Sequence, residues 1–149
     1  MKRQVRKNVF ETNSSSVHSI SISNDGREPS YLKKNEFNEI VIDFGYFGKE
    51  YEIYDTQEEK LSYLMTCLSY LVNYETLEDF YESYEFKIVE KYICDYAGAS
   101  GIVIEGIHEP ELDHQSIPWD YIEIINIYDE DAVVNFVFNK YISLKTESD

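Results

Sequence analysis

The sequence predicts an α+β fold: a single domain with a mixed or antiparallel sheet and two to four helices packed on one face. Three observations carry this prediction. Thr56 with Glu59 forms a capping-box pattern ahead of apolar residues at helical spacing, and Thr76 with Asp79 restarts helical character. Short β-branched runs such as Ile20-Ser21-Ile22 and Ile40-Val41-Ile42 precede that helical block, and Gly101 to Ile107 follows it. A length of 149 residues suits one domain, residues 1–149, and is enough to bury a core without covalent staples.

In chain order, Val9 to Glu11 reads as a short strand and Val17 to Ser23 as a longer one with period-two alternation. Between them Thr12-Asn13-Ser14-Ser15-Ser16 has the small polar side chains of a turn, and Asn24-Asp25-Gly26 is a second turn. Arg27 to Asn38 reads as loop or short helix, and Glu39 to Phe44 as a strand closed by Gly45 and Gly48. The helix after Thr56 places Leu61, Leu64, Met65, Leu68, Leu71 and Val72 on one stripe, with Glu58, Ser62, Ser69 and Asn73 on other faces. From Thr76 to Ala97 the spacing fits either one helix or two broken near Ser83, ending at Gly98. Gly101 to Ile107 reads as a buried strand, His108 to Gln115 as a polar loop, and Tyr121 to Tyr128 as ambiguous. Asp129-Glu130-Asp131 suits a helix N-terminus, and that helix would bury Val133, Val134, Phe136 and Val137 before a last strand, Tyr141 to Lys145.

Charge narrows the function classes. There are 29 acidic against 13 basic residues, for a formal net charge of −16. Lys2, Arg3, Arg6 and Lys7 supply the basic head, while from Tyr92 to Asp149 only Lys140 and Lys145 are basic. Such a balance disfavours direct nucleic-acid binding and anionic membranes, both of them polyanionic. Cys67 and Cys94 stand alone in apolar sequence, as buried reduced thiols do, and no signal peptide or membrane-spanning run is visible. A cytoplasmic protein is expected.

The densest polar cluster is Phe10-Glu11-Thr12-Asn13-Ser14-Ser15-Ser16-Val17-His18-Ser19. One reading is a nucleotide or phosphate pocket: turn amides, hydroxyls and Asn13 would cradle an anion, Arg6 and Lys7 would supply positive charge, and His18 would move a proton. The other reading is a strand connection whose serines satisfy their own turn. The stretch from Arg6 to Ile20 resembles the opening of a set of small phage and prophage-type proteins with a VFETNSSSxHS-like signature, from bacteriophages and bacteria of the Bacillus and Clostridium kind. The segment Val134 to Tyr141 is also similar to theirs. The resemblance implies a phage setting, where small acidic proteins often inhibit host systems, and carries no catalytic assignment.

Two further clusters stand out. His108-Glu109-Pro110-Glu111-Leu112-Asp113-His114 holds metal-ligand side chains, with His108, Asp113 and His114 as candidates, but its spacing fits no zinc or calcium loop, Pro110 stiffens its middle, and the favoured reading is a charged surface loop with no metal. Tyr51, Tyr54, Tyr63, Tyr70, Tyr74, Tyr81, Tyr84, Tyr92 and Tyr96 crowd one acidic stretch. Tyrosine is favoured at interfaces because it buries a large area and keeps a polar handle. Glu75, Glu78, Asp79, Glu82 and Glu85 would form its acidic face, docking into a basic groove built for nucleic acid. The alternative is an ordinary helical pair with tyrosines at its boundary. No cofactor is expected. The leading expectation is therefore a binding protein that inhibits a basic, nucleic-acid-handling or defence protein, and the second is a small phosphate-binding domain or enzyme using the N-terminal motif.

Overall fold

The computed structural model describes residues 16–22, 31–47, 52–106, 111–112 and 125–148. Its elements are β1 (Ser16–Ile22), β2 (Glu39–Ile42), β3 (Tyr46–Phe47), β4 (Glu52–Tyr54), α1 (Gln57–Leu71), α2 (Leu77–Glu82), α3 (Tyr84–Ala97), β5 (Gly101–Ile104), β6 (Glu111–Leu112), α4 (Glu130–Phe138) and β7 (Ile142–Ser148). This is the α+β class, with four helices and both parallel and antiparallel pairings among the described residues. The expected strand Val9 to Glu11, the turn at Asn24 to Gly26 and residues Thr12 to Ser15 of the turn expected from Thr12 to Ser16 lie outside the described residues, while Ser16 itself begins β1.

The antiparallel set has the order β1-β7-β4. Ile20 and Tyr54 both face Leu144 across it. Along β7, Ile142 and Leu144 are buried while Ser143 and Lys145 are only half-buried, the alternation of a sheet covered on one face. On the outer face Ile53 pairs with Lys145 and stays exposed.

A second pair, β2 and β5, is parallel, with Ile40 opposite Ile102 and Ile42 opposite Ile104, all four buried. Parallel neighbours require a long crossover, here the chain from Asp43 to Ser100 that carries α1, α2 and α3. The same two chain segments pair again in parallel as β3 and β6, with Tyr46 opposite Glu111. The polar loop expected from His108 to Gln115 thus contains a strand, and the stop expected at Gly45 is followed at once by another. Two-residue strands have no periodicity to read, and only their pairing defines them. Strand β5 is also shorter than expected: Glu105 N makes the last bond to β2, at Ile42 O, and Gly106 turns out of strand conformation at φ 138°.

Helix α1 forms where local signals agree. Thr56 Oγ1 accepts from Glu59 N at 3.1 Å, and the Glu59 carboxylate accepts from Thr56 N at 3.4 Å. Its burial exceeds the expected stripe, since Tyr63, Thr66, Cys67 and Ser69 are buried as well. The helix packs against α4, β2 and β6, so residues off the expected stripe also meet protein. Ser69 compensates by donating to Thr66 O at 2.6 Å. Lys60, at 1% exposure, donates through Nζ to Asn139 O at 3.0 Å and Ile142 O at 2.6 Å, tying α1 to the junction of α4 and β7. Burial lowers its amine to about 8, partly opposed by Asp55.

Ser83 decides between one helix and two from Thr76 to Ala97. Its extended backbone ends α2, its N–H donates to Phe80 O at 3.1 Å, and its Oγ accepts from Phe86 N at 3.1 Å to begin α3. The chain therefore forms two helices. Phe80 is the buried residue of the short α2, and its ring lies 5.7 Å from Phe44, 5.2 Å from Tyr74 and 5.2 Å from Phe86. Gly98 ends α3 in the left-handed region (φ 70°), where a side chain is disfavoured. In α4, capped by Asp129, residues Val133, Phe136 and Val137 are buried. Val134 is only half-buried, a correction to the expected set, because it lies off the stripe facing α1 and α3.

Cys67 and Cys94 are buried free thiols, as expected. Burial pushes both upward, Cys67 strongly and Cys94 to about 11, so neither presents a reactive thiolate. No helix among the described residues is long and apolar enough to cross a membrane.

Candidate functional site

The acidic carboxylates of the α2 and α3 segment are positioned by their caps. Thr76 Oγ1 accepts from Asp79 N at 3.2 Å, and Asp79 Oδ2 accepts from Thr76 N at 3.3 Å and Glu75 N at 3.4 Å. Asp79 is therefore committed to holding the helix start. Glu75, Glu78 and Glu82 are exposed and Glu85 is half-buried. Between Asn73 and Phe86 there is no Lys or Arg. Glu82 has a long contact with Lys87, 3.8 Å between largely exposed side chains, which is worth little in water.

A second acidic run meets the first in space. Asn126 Oδ1 accepts from Tyr128 N at 3.1 Å, and Asp129 Oδ1 accepts from Asp131 N at 3.1 Å, so a turn and a helix cap follow one another. Glu130 and Asp131 are exposed in the first turn of α4. The rings of Tyr84, at the start of α3, and Tyr128 stack with centroids 6.2 Å apart and planes 22° from parallel. Tyr92 further holds this corner by donating its hydroxyl to Tyr128 O at 3.4 Å. Burial, then the charge of Glu85, then Tyr84, raise the Tyr128 phenol above its ordinary range, so the hydroxyl stays protonated at neutral pH. Lys91, the second cation along α3 after Lys87, is bound by Asp95 at 2.9 Å on its own helix.

The expected tyrosine face is thus only partly assembled. Tyr70, Tyr84 and Tyr96 are exposed, whereas Tyr63 is wholly buried between Phe47 and Phe136, Tyr54, Tyr74, Tyr81 and Tyr92 are half-buried, and Tyr51 lies outside the described residues. Tyr81 serves the fold through its hydroxyl, which accepts from Ile104 N at 2.9 Å. Glu90 does the same for Ile102 N through Oε2 at 3.0 Å. Together they satisfy the edge of β5 opposite β2, which would otherwise offer bare donors to another strand. Gly101 makes room for this arrangement, since a Cβ there would lie 3.2 Å from Glu90 Oε2.

Tyr128, Glu130 and Asp131 were not part of the acidic face predicted from sequence. Tyr128 lies far from Tyr84 in the chain, and the acids of residues 129–131 are read locally as a helix start. A tyrosine directly before an acidic cap was the available signal.

Of the alternative pocket, Arg6, Glu11, Thr12, Asn13, Ser14 and Ser15 lie outside the described residues. Ser16 and His18 fall on β1, in register with Ser148 and Thr146. His108, Asp113 and His114 also lie outside the described residues. Among the described residues no group of three His, Cys, Asp or Glu is placed to hold a metal ion. Comparison with protein-family models, curated proteins and solved structures finds no match to this chain.

Proposed function

We propose that this chain is a non-enzymatic interaction protein of the phage type that binds a basic partner protein and blocks its nucleic-acid-handling or defence activity. The observation that carries the reading is the junction of two acidic runs, residues 75–85 and 129–131, at the exposed Tyr84 and Tyr128 stack. Carboxylates on such a surface stand in for phosphates and aromatic rings for bases, while a net charge of −16 accelerates encounter with a cationic groove. Exposed charges act over roughly 8 Å at physiological ionic strength, so the association is salt-sensitive.

The test compares wild type with Glu75→Lys/Glu78→Lys/Glu82→Lys/Glu85→Lys and with Asn13→Ala/His18→Ala. Asp79 is left intact because it caps α2. Each protein is used for affinity capture from a bacterial lysate, the captured protein is identified by mass spectrometry, and association is followed at low and high salt. The expected result is capture of a basic protein, lost with charge reversal through slower association, and retained by the Asn13/His18 variant. Loss of binding or activity in the Asn13/His18 variant, with unchanged melting, overturns the proposal in favour of a phosphate pocket at the N-terminal motif.

A further inference from the structure

We infer that the stacked Tyr84 and Tyr128 rings, with Glu85 beside them, form an anchor for an arginine side chain of the partner; this rests on the acidic-face reading above and specifies its chemistry. The pair is exposed yet held. Tyr84 keeps 64% and Tyr128 45% of its surface in solvent, a cost that a packed boundary would avoid. Tyr84 is fixed as the first residue of α3, directly after the Ser83 cap, and Tyr128 by the Asn126 turn and the Tyr92 hydroxyl. Rings held on ordered backbone lose little freedom on binding, as interface hot spots require.

The charge around the pair selects a cation. Glu85 acts electrostatically on Tyr128, and Glu82 and Glu130 are exposed in the flanking helices. Of the cations nearest in sequence, Lys91 is bound by Asp95 at 2.9 Å, whereas Lys87 makes only the long, exposed 3.8 Å contact with Glu82, which a partner's arginine can displace. Arginine fits better than lysine because its flat guanidinium stacks on an aromatic face while its N–H fork meets a carboxylate, and it is more weakly hydrated. A lysine ammonium would gain the carboxylate but little from the ring.

The experiment measures binding of fluorescently labelled oligo-arginine and oligo-lysine peptides of equal length by anisotropy, with ring resonances of Tyr84 and Tyr128 followed by NMR. Wild type should bind the arginine peptide about two- to fivefold more tightly than the lysine peptide, the range for an exposed cation–π contact. Tyr84→Phe/Tyr128→Phe should keep the preference, since the ring face remains. Tyr84→Leu/Tyr128→Leu should abolish it while leaving salt-dependent binding of both peptides. Equal affinity for the two peptides in wild type, or a preference surviving in the leucine variant, overturns the arginine anchor and leaves the acidic face standing. Binding of both peptides that is unchanged by the four-fold Glu→Lys reversal overturns the acidic face and the anchor together.

Discussion

Tyr81→Phe isolates a single interaction, the hydrogen bond by which α2 meets the edge of β5. The substitution keeps the ring and its packing, 5.2 Å from Phe86 and 6.3 Å from Phe80 by centroid, and removes only the oxygen that accepts from Ile104 N at 2.9 Å. Ile104 is 9% exposed, so water cannot readily replace that acceptor. A buried amide left without a partner costs about 1–3 kcal/mol. For a chain of this size each kcal/mol moves the melting midpoint by about 2–4 °C, so a fall of roughly 2–12 °C is expected. Circular dichroism melts report the stability, and hydrogen exchange of the Ile104 amide reports the site. Glu90→Gln is the control, because its amide oxygen still accepts from Ile102 N, and it should shift melting less than Tyr81→Phe. A Tyr81→Phe protein that melts within about 1 °C of wild type, with the Ile104 amide equally protected, would refute the role assigned to this hydroxyl.

Two more stability measurements follow from the core. Phe80→Ala, removing a wholly buried ring that meets four aromatic neighbours, should cost about 3–5 kcal/mol in urea unfolding; a loss below about 1 kcal/mol would show that α2 does not depend on it. Lys60 carries a pH signature: its amine is lowered from 10.5 to about 8 in the fold, so between those values the unfolded chain binds the proton that the native state has released. Stability contributed by this group therefore rises with pH across that window. The advantage of wild type over Lys60→Met should grow from neutral to alkaline pH, and an advantage that shrinks over the same range would contradict the burial assigned to the amine.

What the sequence determined alone is local. The capping box at Thr56, the helix start at Thr76, the acidic start of α4 and the glycine end of α3 are readable because donor, acceptor and backbone conformation lie within a few residues of one another. The β1 segment is readable for the same reason, through its alternation. The break at Ser83 was visible as a possibility but not as an outcome, since serine tolerates either state and the anchoring of Phe80 against Phe44 belongs to the tertiary fold. Only that fold decided that β3 and β6 exist, that Lys60 is buried against two distant carbonyls, that Tyr63 belongs to the core, and that Tyr81 and Glu90 close the edge of β5. It alone brought Tyr84 to Tyr128 and so joined two acidic runs into one surface. Each of these depends on groups far apart in the chain. A side chain's partner across such a distance is set by how helices and strands pack, and local propensity has no term for that distance.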